Sequence, residues 1–280
     1  MILLVASEPD IASMNIKERI LSLTDWKLIE EKFDGNPVYV HDNFLMITLK
    51  NLHIYAENFD RALKDAGFDF DRIIVLSRHK SEMGIPTLTV HPVGNFGKAE
   101  FGGKDRDFAP ANPSLMGASL RKLADLGREL TDYKLSLEVT HHGPYVETPI
   151  MFIEIGSEET RWRDRVAGEL IARTVLEMKE EIYPVIVGIG GGHYAPRFTE
   201  MQLKRKLNFA HMIPEYAVPH IDMEVLEKLL AKPKPDWIYV HEKGLKKENL
   251  HKIRDLLQSF SIPECSSKDF EPLDIKTNPV

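Results

Sequence analysis

Five histidines and one glutamate sit at or near the ends of apolar, strand-like runs. His79 closes "IIVLSRH", His91 closes "TLTVHP", His141 and His142 close "LSLEVTHH", His193 follows "VIVGIGGG", and Glu154 lies within "MFIEIG". His211, in "NFAHMI", is one more imidazole within reach of such a cluster. Neutral imidazole and carboxylate oxygen are zinc ligands, and three of them leave a coordination position for water. A histidine with its ordinary pKa of about 6.5 is alternatively a general base near neutrality. Spacing does not choose between the two, because there is no HExxH pattern and the single Cys265 supports no zinc ribbon. In a regular strand, adjacent side chains point to opposite faces, so only one of His141 and His142 should reach a common site. His41, His53, His220, His241 and His251 read as surface or structural residues.

The stretch "VGIGGGHYAPRFTE" is not a dinucleotide fingerprint. A GxGxxG begun at Gly188 would need glycine at His193, Pro196 falls where a phosphate-binding helix should run, and no P-loop lysine follows. Two readings remain for Gly190, Gly191 and Gly192. They form either a bare loop that lets a ligand approach, with amide groups as oxyanion donors, or a tight turn needing positive φ. On the first reading Gly192→Ala lowers turnover strongly. Gly143-Pro144 is a plain trans turn or a rigid cis element in a substrate pocket; trans is the default isomer. Basic residues cluster at Arg161 and Arg163 in "RWRDR" and at Lys204, Arg205 and Lys206. Beside a pocket, such residues would suit a phosphate backbone.

The elements that must position these residues alternate. "MILLVAS" reads as a buried strand, and "DIASMNIKERILSL" as an amphipathic helix capped by Asp10. A hairpin is expected around His41–Asn43, then a helix stopping near Gly67, strands ending at His79 and His91, and a helix opened by Pro113. Two strands flank the "HHGPYVETP" loop, and "TRWRDRVAGELIARTVLEMKEE" is the longest uninterrupted helical pattern. The strand "YPVIVGIG" follows, and residues 220–280 give a helix–strand–helix part. This alternation predicts an α/β fold, a mostly parallel or mixed sheet flanked by helices. In such sheets ligands bind beyond the carboxyl ends of strands, where the histidines would converge. One domain over 1–280 is expected, with the 220–280 part packed on it.

The composition is that of an ordinary globular chain of 280 residues, 43% hydrophobic and 28% charged. A net charge of −7 argues against indiscriminate nucleic-acid coating but permits a local basic path. The lone cysteine suggests a reducing compartment, no apolar run reaches membrane-spanning length, and the acidic start is unlike a signal peptide, so a cytoplasmic protein is expected.

Three blocks together, "SRHKSEMGIPTLTVHPVGN", "VTHHGPYVETPIMFIEIGSEETRW" and "GGGHYAPRFTEM", resemble the archaeal and plant type of D-aminoacyl-tRNA deacylase. The resemblance runs from the first strand to about residue 220. It implies hydrolysis of the ester between a D-amino acid and the terminal ribose of tRNA, zinc as cofactor, and an α/β fold related to the phosphorylase and peptidyl-tRNA hydrolase types. With it, metal ligation is expected from His79, His91, His141 and His193, and acid–base catalysis from His193, His142 and Glu154. Substrate binding is expected from Gly143, Pro144, Gly190, Gly191, Gly192 and Tyr194, with Arg161, Arg163, Lys204, Arg205 and Lys206 on the tRNA. A monomer with tRNA as partner and no membrane is expected. The rival readings are a zinc peptidase or amidohydrolase with no RNA partner, and a non-catalytic RNA-binding module.

Overall fold

The computed structural model describes residues 1–130 and 132–273. Its strands are β1 (Ile2–Ser7), β2 (Lys27–Phe33), β3 (Asn36–His41), β4 (Phe44–Leu49), β5 (Arg72–Lys80), β6 (Thr87–His91), β7 (Gly94–Asn95), β8 (Asp107–Phe108), β9 (Lys134–Leu137), β10 (Ile150–Ser157), β11 (Val185–Ile189), β12 (Asn208–Ile213) and β13 (Trp237–Val240). Its helices are α1 (Ile11–Leu23), α2 (Phe59–Asp65), α3 (Pro113–Leu126), α4 (Glu159–Trp162), α5 (Arg165–Glu177), α6 (Pro196–Lys204), α7 (Met223–Leu230) and α8 (Lys247–Leu257).

Local chemistry explains most boundaries. The Asp10 side chain accepts the Ser13 amide at 2.9 Å and starts α1, while Asn112 and Pro113 start α3. The single long helix expected over 160–181 is interrupted. Asp164 turns its carboxylate onto the Val166 amide at 2.9 Å and caps a new helix, α5, leaving α4 as one short turn. Pro196 does not stop a helix but opens α6 at its first position, where a missing N–H costs nothing.

A mixed eight-stranded sheet in the order β2-β3-β4-β1-β5-β10-β6-β9 forms the centre. Strands β4, β1, β5 and β10 run parallel, and β6 lies antiparallel to β10. A second, parallel sheet in the order β12-β11-β13 takes the later strands, so the segment after residue 220 contributes β13 beside β11. Helices α1, α3 and α5 bury Ile16, Leu120 and Ile171 against Leu4, Ile74 and Ile153 on one face of the large sheet. Each such side chain contributes about 1.5–3 kcal/mol when fully buried. The opposite face packs Val75 and Phe152 against Phe59 and Leu63 of α2 and against Val93 and Val146 from loops. No helix among the described residues is long and apolar enough to cross a membrane.

Candidate active site

The site lies on that second face of the large sheet. Glu154 pairs across the ladder with Ser77 on β5 and with Thr89 on β6, and Thr89 pairs with Ser136 on β9. Paired residues share a face, so these four make a buried polar row in an otherwise apolar sheet. Two residues along β5 stands His79, and two residues along β6 stands His91, both on the same face as the row. Because β6 runs antiparallel, His79 and His91 lie on opposite sides of Glu154 rather than at one row of carboxyl ends. The expected convergence of strand ends is therefore replaced by convergence onto a sheet face.

Sequence reasoning missed Glu138, which follows β9 and is wholly buried. Its Oε2 lies 2.9 Å from Nε2 of His193 and 3.5 Å from Nε2 of His141, and its Oε1 lies 3.2 Å from Nδ1 of His79. The signal was present: a carboxylate in the apolar run "KLSLEV" has no ordinary reason to be buried without a partner. A backbone bridge between Glu138 and Tyr194 brings the glycine-loop segment alongside. Tyr194 in turn places its hydroxyl 3.0 Å from Nε2 of His79.

His141 and His142 both join the cluster, contrary to the strand-parity expectation. His142 adopts φ 42°, so the chain has already left extended geometry, and the two rings lie 4.4 Å apart. His91 lies 4.2 Å from His141 and 5.0 Å from His142, stacked on Phe152. Three imidazoles are held the same way. Nδ1 of His91 faces the Pro92 carbonyl at 3.1 Å, that of His141 the Val139 carbonyl at 2.8 Å, and that of His142 the Gly143 carbonyl at 2.5 Å. A carbonyl only accepts, so each Nδ1 carries hydrogen, and in the neutral ring Nε2 keeps its lone pair.

Charges follow this geometry. Burial opposes charge on His79, but Glu138 and Glu154 outweigh it and raise its pKa to about 11. Burial also opposes charge on His91, and Glu154 beside it raises the pKa. Burial and then the neighbouring His91 keep His141 well below its ordinary value and His142 at about 3, so both are neutral at pH 7. Both carboxylates stay ionised against burial, Glu138 mainly through His193 and His79, Glu154 mainly through His91.

This donor set fits a bound cation. His91, His141 and His142 bring one ligand atom each within 4.8 Å of one another, as do His79, Glu138 and His193, and His91, Glu138 and Glu154. Among the described residues, Nε2 of His91 is buried with no hydrogen-bond partner, with Glu154 beside it at 3.5 Å. The lone pair of neutral His141 confronts the Glu138 carboxylate with no proton between them. Such an arrangement of facing acceptors is stabilised by a cation.

Other expected residues fall differently. His211 does not join: it is buried on β12, with Nδ1 3.1 Å from the Thr140 hydroxyl and its ring against Phe108. Gly143 and Pro144 are buried, and their peptide bond is cis rather than trans. A Cβ at Gly143 would sit 2.2 Å from the Gly103 amide nitrogen, so this glycine allows two backbone segments to touch. Gly190 and Gly191 take positive φ of 108° and 93°, and their amides bond the carbonyls of Ile213 at 2.8 Å and Gly244 at 2.9 Å. Those two amides are therefore not oxyanion donors. A Cβ on Gly192 would meet nothing within 4 Å, which removes the steric reason for expecting Gly192→Ala to impair turnover. Among the basic residues, Arg161 lies over Tyr133, Arg163 pairs with Glu159, Lys204 with Glu200 and Lys206 with Glu271, and Arg205 donates to the Phe270 carbonyl.

An α/β fold holds a buried basin of imidazoles and carboxylates, open at His193, whose donor groups suit acid–base chemistry and could hold a cation. Residues 66–264 match the D-aminoacyl-tRNA deacylase family, and the chain belongs to it. The match passes residue 220, so the C-terminal part shares the family relationship. Among the relatives, the D-aminoacyl-tRNA deacylase of Pyrococcus horikoshii is 39% identical over 92% of this chain and 97% of its own length. That of Methanosarcina mazei is 35% identical over 93% of this chain and 90% of its own. That of Methanococcoides burtonii is 35% identical over 98% of this chain, which spans 58% of that longer relative. A crystal structure described as a conserved protein of unknown function, AF0625, superposes with a TM-score of 0.90 at 33% identity, covering 96% of this chain and 98% of that one.

Proposed function

We propose that this protein hydrolyses the ester bond of D-aminoacyl-tRNA, releasing tRNA and a free D-amino acid, with zinc as its cofactor. The family relationship supports the substrate. The single structural observation that carries the chemistry is Glu138 buried between His79 and His193.

His91, His141 and His142 would hold the metal through Nε2, with Glu154 beside them. When bound, zinc supplies a water acidic enough to ionise near pH 7 and polarises the ester carbonyl. The chain's own groups do the rest. Nε2–H of His193 donates to Glu138, which leaves Nδ1 to take a proton from the attacking water. Glu138 stabilises the imidazolium that forms. The water oxygen bonds to the carbonyl carbon, the bond to the ribose oxygen breaks, and His193 returns its proton to that oxygen. His79, charged at neutral pH, donates Nε2–H to Tyr194, whose own hydroxyl hydrogen is then free for the oxyanion.

The test is hydrolysis of matched D- and L-aminoacyl-tRNA, with chelator and with zinc restored. Rapid release from the D ester, little from the L ester, loss with chelator and recovery with zinc are expected. Equal rates on the two enantiomers would overturn chiral proofreading. Full activity in metal-free protein would overturn the role of zinc.

A further inference from the structure

Directly beside His193 lies an open groove of about 510 Å³ that the catalytic cluster does not use. Its floor is bare backbone. Gly191 donates to the Gly244 carbonyl at 2.9 Å, the Glu215 amide donates to the Gly191 carbonyl at 2.8 Å, and a Cβ on Gly244 would press the Gly191 nitrogen at 2.7 Å. Gly192, exposed and facing open space, forms the lip next to His193. One wall is Tyr216, an aromatic left 53% exposed. The far rim carries the exposed Lys243 and Lys246, the latter 3.9 Å from Glu215.

We propose that this groove receives the 3′-terminal nucleotide of the tRNA, its base against Tyr216 and its phosphates at Lys243 and Lys246. The proposal rests on the deacylase reading for the identity of the ligand, but its parts have independent chemistry. An exposed aromatic wall offers a π-face to any base. Lysines answer phosphate charge without reading sequence. A side-chain-free floor lets a planar group lie close. The groove's position next to His193 also matches the connectivity of the substrate, whose scissile ester is carried by the terminal ribose. An acidic protein of net charge −7 can thus hold RNA through a small basic rim at its site.

The experiment measures binding of deacylated tRNA, intact or lacking its 3′-terminal adenosine, so that no hydrolysis is needed. Wild-type protein should bind the intact tRNA more tightly. Tyr216→Ala should weaken intact tRNA about tenfold, with little effect on the truncated tRNA, whereas Tyr216→Phe should bind like wild type. Gly192→Leu, which places a side chain in free space, should weaken intact tRNA while leaving the fold and zinc content unchanged. Lys243→Gln combined with Lys246→Gln should lower the slope of log Kd against log salt by about one to two. Failure of intact tRNA to bind, indifference to the terminal adenosine, or wild-type binding by Tyr216→Ala would each overturn the proposal. Adenosine- and Tyr216-dependent binding by a protein that leaves D-aminoacyl-tRNA intact would sustain the groove and overturn the deacylase reading.

Discussion

Oε2 of the wholly buried Glu138 lies 2.9 Å from Nε2 of His193, whose side chain is about one-third exposed at the edge of the cluster. Its other oxygen faces the charged His79 at 3.2 Å. Glu138→Gln keeps the shape and removes the charge that stabilises both imidazolium forms. The kcat for D-aminoacyl-tRNA should fall at least about hundredfold, with a smaller change in KM. Breaking a buried ion pair costs about 3–5 kcal/mol, so thermal unfolding should also come earlier. A kcat within a factor of three of wild type would remove Glu138 from the mechanism.

Tyr194→Phe isolates the hydroxyl that lies 3.0 Å from Nε2 of His79 and that the proposed mechanism turns toward the oxyanion. Losing one oxyanion donor lowers kcat by about 10²–10³-fold with KM little changed. Steady-state kinetics on a correctly folded variant, judged by circular dichroism, decide this. If KM rises and kcat holds, Tyr194 binds substrate and does not stabilise the transition state.

Metal content should follow the carbonyl-locked imidazoles. If the proposed zinc site is right, added zinc should raise the Tm of the wild type, and His91→Ala and His142→Ala should each lower zinc per chain measured by elemental analysis and abolish that rise. Normal zinc content in both variants would move the metal to the His79, Glu138 and His193 group.

The three glycines should separate sharply. Gly190→Ala forces a side chain to φ 108° with its Cβ 2.8 Å from the His241 carbonyl, and Gly191→Ala forces one to φ 93°. Each should cost stability on the order of 1–3 kcal/mol. Gly192→Ala should melt like wild type and retain turnover. Calorimetry of the three variants checks the order; equal melting temperatures would show that the loop relaxes.

His211 gives the fold a pH dependence of known sign. Burial pushes its pKa from 6.5 to about 4, so between these values the unfolded chain binds a proton that the folded chain does not. Its neutral form supports the fold fully above about pH 6.5, and that stability is lost as pH falls toward 4, by roughly 3 kcal/mol in all. His211→Gln should flatten the fall in Tm across this window, whatever its effect at pH 7. An unchanged slope would assign the acid sensitivity to other groups.

Short-range chemistry was legible in the sequence alone. Apolar runs of strand length located β1, β5 and β11, Asp10 and Pro113 marked the starts of α1 and α3, and histidines at run ends pointed to His79, His91, His141, His142 and His193. Each of these signals is set by a residue and its near neighbours along the chain. Only the tertiary structure decided that β6 turns back against β10, that β11, β12 and β13 leave the main sheet, and that Asp164 breaks a helix. The same holds for Glu138, whose partners His79 and His193 are remote in sequence, and for His142, whose positive φ is held by the loop around Gly143. Strand direction, sheet membership and the pairing of buried charges depend on packing between segments far apart in the chain, and no local pattern encodes that packing.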